Sequence, residues 1–212
     1  MSVTFPFISP DGTKVAFLTN LNEIYVIGME GGAPRRVVER NAYAATWSPD
    51  GNFLAWTAFV NEPLGTGHNW SPQIMDLRTG KSSVLPDSQG MQGPFGVTQD
   101  MIVAADQSTL KFKTFDLKTQ KWTELIAGNF VNWNLSPDRK YFVFTTGGPD
   151  PEVRRLRFSD GKVDTVASLR NLRRVADNQT SATQVDVAPD GSPVFNRDIG
   201  TQEIYALTVK WP

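Results

Sequence analysis

The chain has 212 residues, no cysteine, one histidine and a formal net charge of −1 at pH 7. The missing cysteines exclude a disulfide framework and thiolate metal sites, and the balanced charge excludes a global field for nucleic acid or an anionic membrane. No apolar run approaches the ~18 residues of a transmembrane helix, while six Trp and thirteen Phe can furnish a large core.

The opening segment, Met1 to Pro6, lacks the basic and apolar regions of a signal peptide and reads as extended chain. Phe5–Ile8 is a strand that runs into Ser9-Pro10-Asp11-Gly12, with Lys14–Phe17 as the return. Pro presets φ for a turn, Asp accepts backbone N–H bonds, and Gly takes the positive φ that a tight reversal needs. A second hairpin follows: Glu23–Ile27, a turn at Glu30–Ala33, and Arg35–Val38.

The same order then recurs. Ala44–Trp47 leads into Ser48-Pro49-Asp50-Gly51 and Phe53–Trp56, and Gln73–Leu77 turns at Thr79-Gly80 into Ser82–Leu85. A decayed copy, Val97-Thr98-Gln99-Asp100, opens a third unit with Phe112–Leu117 and Trp122–Leu125. Val131–Leu135 meets Ser136-Pro137-Asp138-Arg139 in a fourth, which continues through Arg155–Phe158 and Val163–Val166. Gln184–Val187, Ala188-Pro189-Asp190-Gly191 and Glu203–Val209 form a fifth. Asp11, Asp50, Asp138 and Asp190 are therefore expected at equivalent turns, as structural turn residues. Arg139 in place of Gly, and the missing Pro near Thr98, predict two looser turns. No long helix is expected; Ser168–Val175 has only some helical spacing.

Repeats of four strands, A to D, over ~40 to 50 residues are propeller blades. The expectation is an all-β fold: a β-propeller of about five blades forming one domain, residues 1–212. The units fall at about 1–40, 41–90, 91–128, 129–180 and 181–212. The last is short of a strand, so two readings stay open: a five-bladed ring, or an open fragment of a six- to eight-bladed one. The second is favoured, because exposed blade edges are a liability that a complete domain covers. Self-association through blade edges is expected for the same reason.

Ser-Pro-Asp-Gly-x-x-Val-Ala-Phe followed by Glu-Ile-Tyr-Val and Gly-Gly, at residues 9–32, resembles the TolB-type, WD-repeat-like β-propeller repeat. Residues 48–56 and 136–144 are similar. The resemblance implies the C-terminal propeller of a larger bacterial protein, behind a winged-helix regulator or a kinase. Related propellers also precede prolyl-oligopeptidase-type hydrolases. With no signal peptide or transmembrane segment read in the sequence, a cytoplasmic location is expected by default, or a periplasmic one if the chain is the C-terminal part of a membrane-anchored sensor.

In a four-stranded blade the A–B and C–D turns leave at one end and the B–C and D–A connections at the other. The regular turns fall in the first set; the long, irregular connections, 58–72, 86–94, 146–152 and 168–183, fall in the second. Function concentrates on such loops. Partner contacts are expected there from His68, Trp70, Arg170, Arg173 and Arg174. The competing readings are that Trp70 folds over the blade edge and that the Arg-rich segment, which includes Arg154, Arg155 and Arg157, is a set of locally ion-paired faces.

Catalytic chemistry finds little to rest on. There is no Gly-x-Ser-x-Gly elbow, one His makes no zinc site, and Gly80-Lys81-Ser82 has Met75 where a P-loop needs Gly. No catalytic, cofactor-binding or metal residue is assigned, no cofactor is expected, and neither nucleic acid nor membrane is expected as a partner. The expected function is a non-catalytic binding or sensing module. The alternative is the substrate-gating propeller of a serine peptidase. A lactonase-like enzyme is a third reading, resting on Asn132, Asn134, Gln184 and Asp186 at the channel mouth.

Overall fold

The computed structural model describes residues 2–59, 70–106, 108–128, 130–172, 185–195 and 200. Among them there is no helix, and the chain forms two compact units, Met1–Asn129 and Phe130–Pro212.

The first unit holds three four-stranded antiparallel sheets, each a meander of consecutive strands. Blade 1 is β1 (Val3–Ile8), β2 (Lys14–Thr19), β3 (Ile24–Gly28) and β4 (Gly31–Val38). Blade 2 is β5 (Ala42–Trp47), β6 (Phe53–Phe59), β7 (Trp70–Asp76) and β8 (Ser82–Val84). Blade 3 is β9 (Met91–Val97), β10 (Met101–Asp106), β11 (Lys111–Asp116) and β12 (Lys121–Ala127). The second unit holds blade 4, with β13 (Phe130–Leu135), β14 (Tyr141–Thr146), β15 (Glu152–Arg157) and β16 (Val163–Ser168), and a two-stranded pair, β17 (Val185–Val187) and β18 (Pro193–Phe195).

Period-two alternation gives each blade two usable faces, and in the first unit the blades stack through them. Ala16, Leu18, Ile24 and Val26 of blade 1 pack against Ala45, Trp47, Leu54, Trp56 and Met75 of blade 2. On its other face blade 2 offers Ala55 and Ile74 to Val97, Ile102 and Phe115 of blade 3. Two indole N–H groups tie neighbouring blades: Trp47 Nε1 donates to Phe7 O (2.9 Å) and Trp122 Nε1 to Pro86 O (2.7 Å). In the second unit Val143, Val153 and Leu169 pack with Val185, Val187 and Phe195.

The A–B turns of blades 1, 2 and 4 repeat atom for atom. Ser9 Oγ donates to Asp11 Oδ1 (2.6 Å) and accepts from Lys14 N (2.9 Å), while Thr13 N donates to Asp11 Oδ1 (3.0 Å). Ser48 and Asp50 do the same with Phe53 and Asn52 (2.6, 2.9 and 3.0 Å), and Ser136 and Asp138 with Tyr141 and Lys140 (2.6, 3.0 and 3.1 Å). In the last copy Ala188 has no hydroxyl, and Ser192 donates to Asp190 through both its N–H and its hydroxyl.

Neither expected loose turn is loose. Arg139 takes φ +56°, beside +69° at Gly12 and Gly51, and donates its N–H to Ser136 O (2.8 Å) just as Gly12 does to Ser9 O (2.9 Å). The Thr98 turn is shorter rather than slacker: Thr98 N donates to Met101 O (2.9 Å), leaving two residues in the loop, and Thr98 Oγ1 accepts from Met101 N (3.1 Å).

Several boundaries also differ: β6 runs to Phe59 and β7 opens at Trp70, so both ends of the connection expected at 58–72 are strand. Gly28 pairs with Gly31, so the first C–D turn is Met29–Glu30 and Gly31–Ala33 belong to β4. β9 begins at Met91, which shortens the connection expected at 86–94. Ser168 ends β16, and residues 169–172 form a turn closed by Leu172 N–H on Leu169 O (3.2 Å), not a helix; 173–175 lie outside the described residues.

Candidate functional site

The loop end of blade 2 carries an aromatic cluster. Phe59 closes β6 and pairs with Trp70, which opens β7; Tyr43 lies one residue into β5. Strand geometry alone brings the three rings together at the sheet end. Phe59 and Trp70 meet edge to face at 5.5 Å, and Tyr43 lies 5.9 Å from each. Such pairs add about 0.5–1.5 kcal/mol beyond area burial. Phe59 is buried, Trp70 is half-buried, and Tyr43 is 37% exposed.

The backbone beneath is tightly held. Phe59 N–H donates to Asn41 O (3.0 Å), Ala42 N–H to Asn22 O (2.9 Å) and Gly90 N–H to Trp70 O (2.8 Å). The B–C connections of blades 1 and 3 add exposed Leu21 and Leu110 at the same ends of their own sheets. Trp70 is thus the first residue of a strand and not part of a loop, half-buried beside Phe59 and Tyr43.

His68, Arg173, Arg174 and Gln184 lie outside the described residues. Arg170 belongs to the second unit, where its guanidinium forms an ion pair with Asp150, Nε to Oδ1 at 3.0 Å. The Arg-rich blade 4 is laced with ion pairs: Arg154–Glu152 at 2.7 Å, Arg157–Asp160 at 3.2 Å and Lys162–Asp164 at 3.1 Å. Of the channel-mouth candidates, Asn134 Nδ2 donates to Asp186 Oδ1 (2.7 Å). No group of three or more His, Asp or Glu residues among the described residues is arranged to hold a metal ion.

At the turn end, acidic side chains are engaged in the turns themselves. Asp11 is lowered to about 2 by the Ser9 hydroxyl and then the Thr13 N–H, and Asp76 to about 2 chiefly by its hydrogen bond from Arg78. Asp50, Asp138 and Asp190 are lowered too, led by Ser48, Ser136 and Ser192 respectively. Gly80 is a C–D turn glycine with φ +72°, its N–H on Asp76 O at 2.7 Å. A groove of about 370 Å³ opens between the turns of blades 1 and 2, with Lys14, Arg35 and Arg78 in its wall.

Trp70 was visible in the sequence beside a long connection; Tyr43 and Phe59 become its neighbours only through the pairing register.

No protein-family model matches the chain, and no curated protein matches its sequence. Solved structures do match. An oligogalacturonate lyase in complex with manganese superimposes with a TM-score of 0.70 at 13% identity, over 88% of this chain and 56% of its own. The tricorn protease superimposes with a TM-score of 0.61 at 16% identity, over 90% of this chain and 18% of its own. The chain therefore spans a little over half of one and less than a fifth of the other. With the meandering four-stranded sheets, these likenesses define the class: an all-β, blade-built fold of the β-propeller type.

Proposed function

We propose that this chain is a non-catalytic binding module that engages a partner protein through its loop end, as part of a larger TolB-like, WD-repeat-like sensor or regulatory protein. The observation that carries this reading is the Tyr43–Phe59–Trp70 cluster, a semi-exposed aromatic anchor on a hydrogen-bonded base. Interfaces favour such anchors because aromatic rings offer large contact area at low entropic cost. Trp70→Ala is expected to weaken partner binding by about 2 kcal/mol or more, the scale of a hot spot, while Thr79→Ala in the C–D turn leaves it unchanged. The non-catalytic part is tested on the purified chain: no turnover is expected with oligogalacturonate and manganese, or with unstructured peptides. Sustained turnover of either substrate overturns it.

The likeness to the tricorn protease favours a second reading, the substrate-gating propeller of a peptidase whose catalytic part lies elsewhere. The coding sequence around this segment separates the two. A kinase or winged-helix region upstream supports sensing, and a Gly-x-Ser-x-Gly domain downstream supports gating.

A further inference from the structure

Blade 1 departs from the other blades at the groove that its turn end shares with blade 2. Strand B opens on Phe53 in blade 2, Met101 in blade 3 and Tyr141 in blade 4, but on Lys14 in blade 1. Directly across on strand C stand Asp76, Asp116 and Arg157, and in blade 1 Gly28. Blades 2 and 3 thus hold a carboxylate at the point where Lys14 meets bare backbone. A Cβ at Gly28 would meet only Gly31 O, at 3.4 Å, so packing does not demand the glycine. Strand D shows a second change. Arg35 pairs with Val26, and the equivalent residues in blades 2, 3 and 4 are Ser83, Thr123 and Asp164.

Both changes add positive charge to the same groove, which is about 370 Å³ in volume. Lys14 and Arg35 are exposed, and neither side chain has an ion-pair or hydrogen-bond partner among the described residues. Lys14 is the least of the groups that lower Asp11. Arg78, the third cation, is held by Asp76 (2.9 Å) and lies over the Phe53 ring (5.8 Å). No acidic residue lines the groove. Nearby Asp50 commits Oδ1 to the Ser48 hydroxyl and the Asn52 N–H, and Oδ2 to the Asn52 amide. Val26, Ile27 and Leu77 add an apolar lining. The repeat requires neither cation, and the chain supplies neither with a counter-charge.

We propose that this groove binds a small organic dianion, a phosphomonoester or a dicarboxylate, carried on an apolar body. Two unmatched cations suit two negative charges, and a phosphomonoester carries about −1.5 to −2 at neutral pH. Arg35 offers a planar fork of donors and Lys14 a mobile point charge, both suited to phosphate and carboxylate oxygens. Val26, Ile27 and Leu77 take the apolar body. The volume is at the small end of ligand pockets, which start at about 300 Å³. This site lies at the turn end and does not depend on the aromatic cluster.

The test is calorimetric titration of the whole chain with phenyl phosphate, phenylsuccinate, inorganic phosphate and benzyl alcohol. Saturable binding of phenyl phosphate or phenylsuccinate is expected, about tenfold tighter than inorganic phosphate, with benzyl alcohol inert. Which of the two binds tells a phosphate head from a dicarboxylate head. Lys14→Met and Arg35→Ser install the residues that blades 3 and 2 carry at those positions, and each should weaken binding about tenfold. Lys118→Ser removes an exposed charge from a turn of blade 3 and should leave binding unchanged. In the wild-type chain the backbone amide resonances of Gly28 and Gly51, which line the groove, should shift on saturation, a readout that needs no variant to fold. No binding of either dianion, equal binding of inorganic phosphate or benzyl alcohol, an equal loss in Lys118→Ser, or unmoved Gly28 and Gly51 resonances overturns the proposal.

Discussion

Ser48 is 7% exposed and serves two bonds at once: its hydroxyl donates to Asp50 and accepts from Phe53 N–H. Ser48→Ala therefore leaves a strand N–H without its partner, and about 1–2 kcal/mol of stability should be lost in urea unfolding at neutral pH; an unchanged midpoint contradicts the capping role. The aspartates give this turn a pH dependence. Asp11 is lowered to about 2 by Ser9 first and Thr13 second, and its unfolded value is about 3.9. A depressed folded-state value means the contribution is complete above about pH 4 and is lost as pH falls through about 2. Acid unfolding should show it: Asp11→Asn removes part of the acid dependence without altering the neutral-to-basic side. This chemistry was legible in the sequence because it is local, reaching from Ser to Asp two residues on and to an N–H five residues on. Arg139 was not: nothing in a lone side chain announces that it will accept φ +56° where its counterparts are Gly, when the Asp138 cap and the Ser136 carbonyl hold the turn in that shape.

The blade was readable from alternation and turn chemistry, but the bulges of strand A were not. β1, β5, β9 and β13 each shift register against strand B. The shifts put Phe5 at φ +47° and Ala44 at φ +45°, conformations that propensity does not predict for those residues. Bulges sharpen strand twist and re-aim side chains. In blade 3 the shift contains Gly93, at φ +147°, whose N–H donates to Thr57 Oγ1 (3.1 Å) while the Thr57 hydroxyl donates back to Gly93 O. A Cβ there would lie 2.8 Å from Ala104 Cβ and 2.9 Å from its Cα. Gly93→Ala should therefore destabilise by roughly 1–3 kcal/mol, the range of core overpacking, seen as a lower thermal midpoint; a wild-type midpoint contradicts the close approach of β9 to β10.

In the stacked blades of the first unit, Trp47 and Leu54 of blade 2 are buried at 3% and 0% by blade 1. Their repeat equivalents in blade 1 are Ile8 and Val15, yet Ile8 is 62% exposed, with Phe5 at 59% and Val3 at 53% beside it. Apolar surface of that kind favours association. Light scattering across a concentration series should show the chain self-associating, and Ile8→Lys should return it to a monomer; a wild-type monomer at every concentration contradicts this. Each blade has two ends, a turn end whose carboxylates are committed to its own hairpins and a loop end, which in blade 2 presents Tyr43 and Trp70. The sequence showed that division through connection length, and it identified Trp70 but not the rings that support it. Site-specific photocrosslinking in the native cell tests the division most directly, with the crosslinker placed at Tyr43 in one variant and at Thr79 in another. A discrete crosslinked partner is expected from position 43, abolished by Trp70→Ala, and none from position 79. A partner captured from position 79 alone would contradict it.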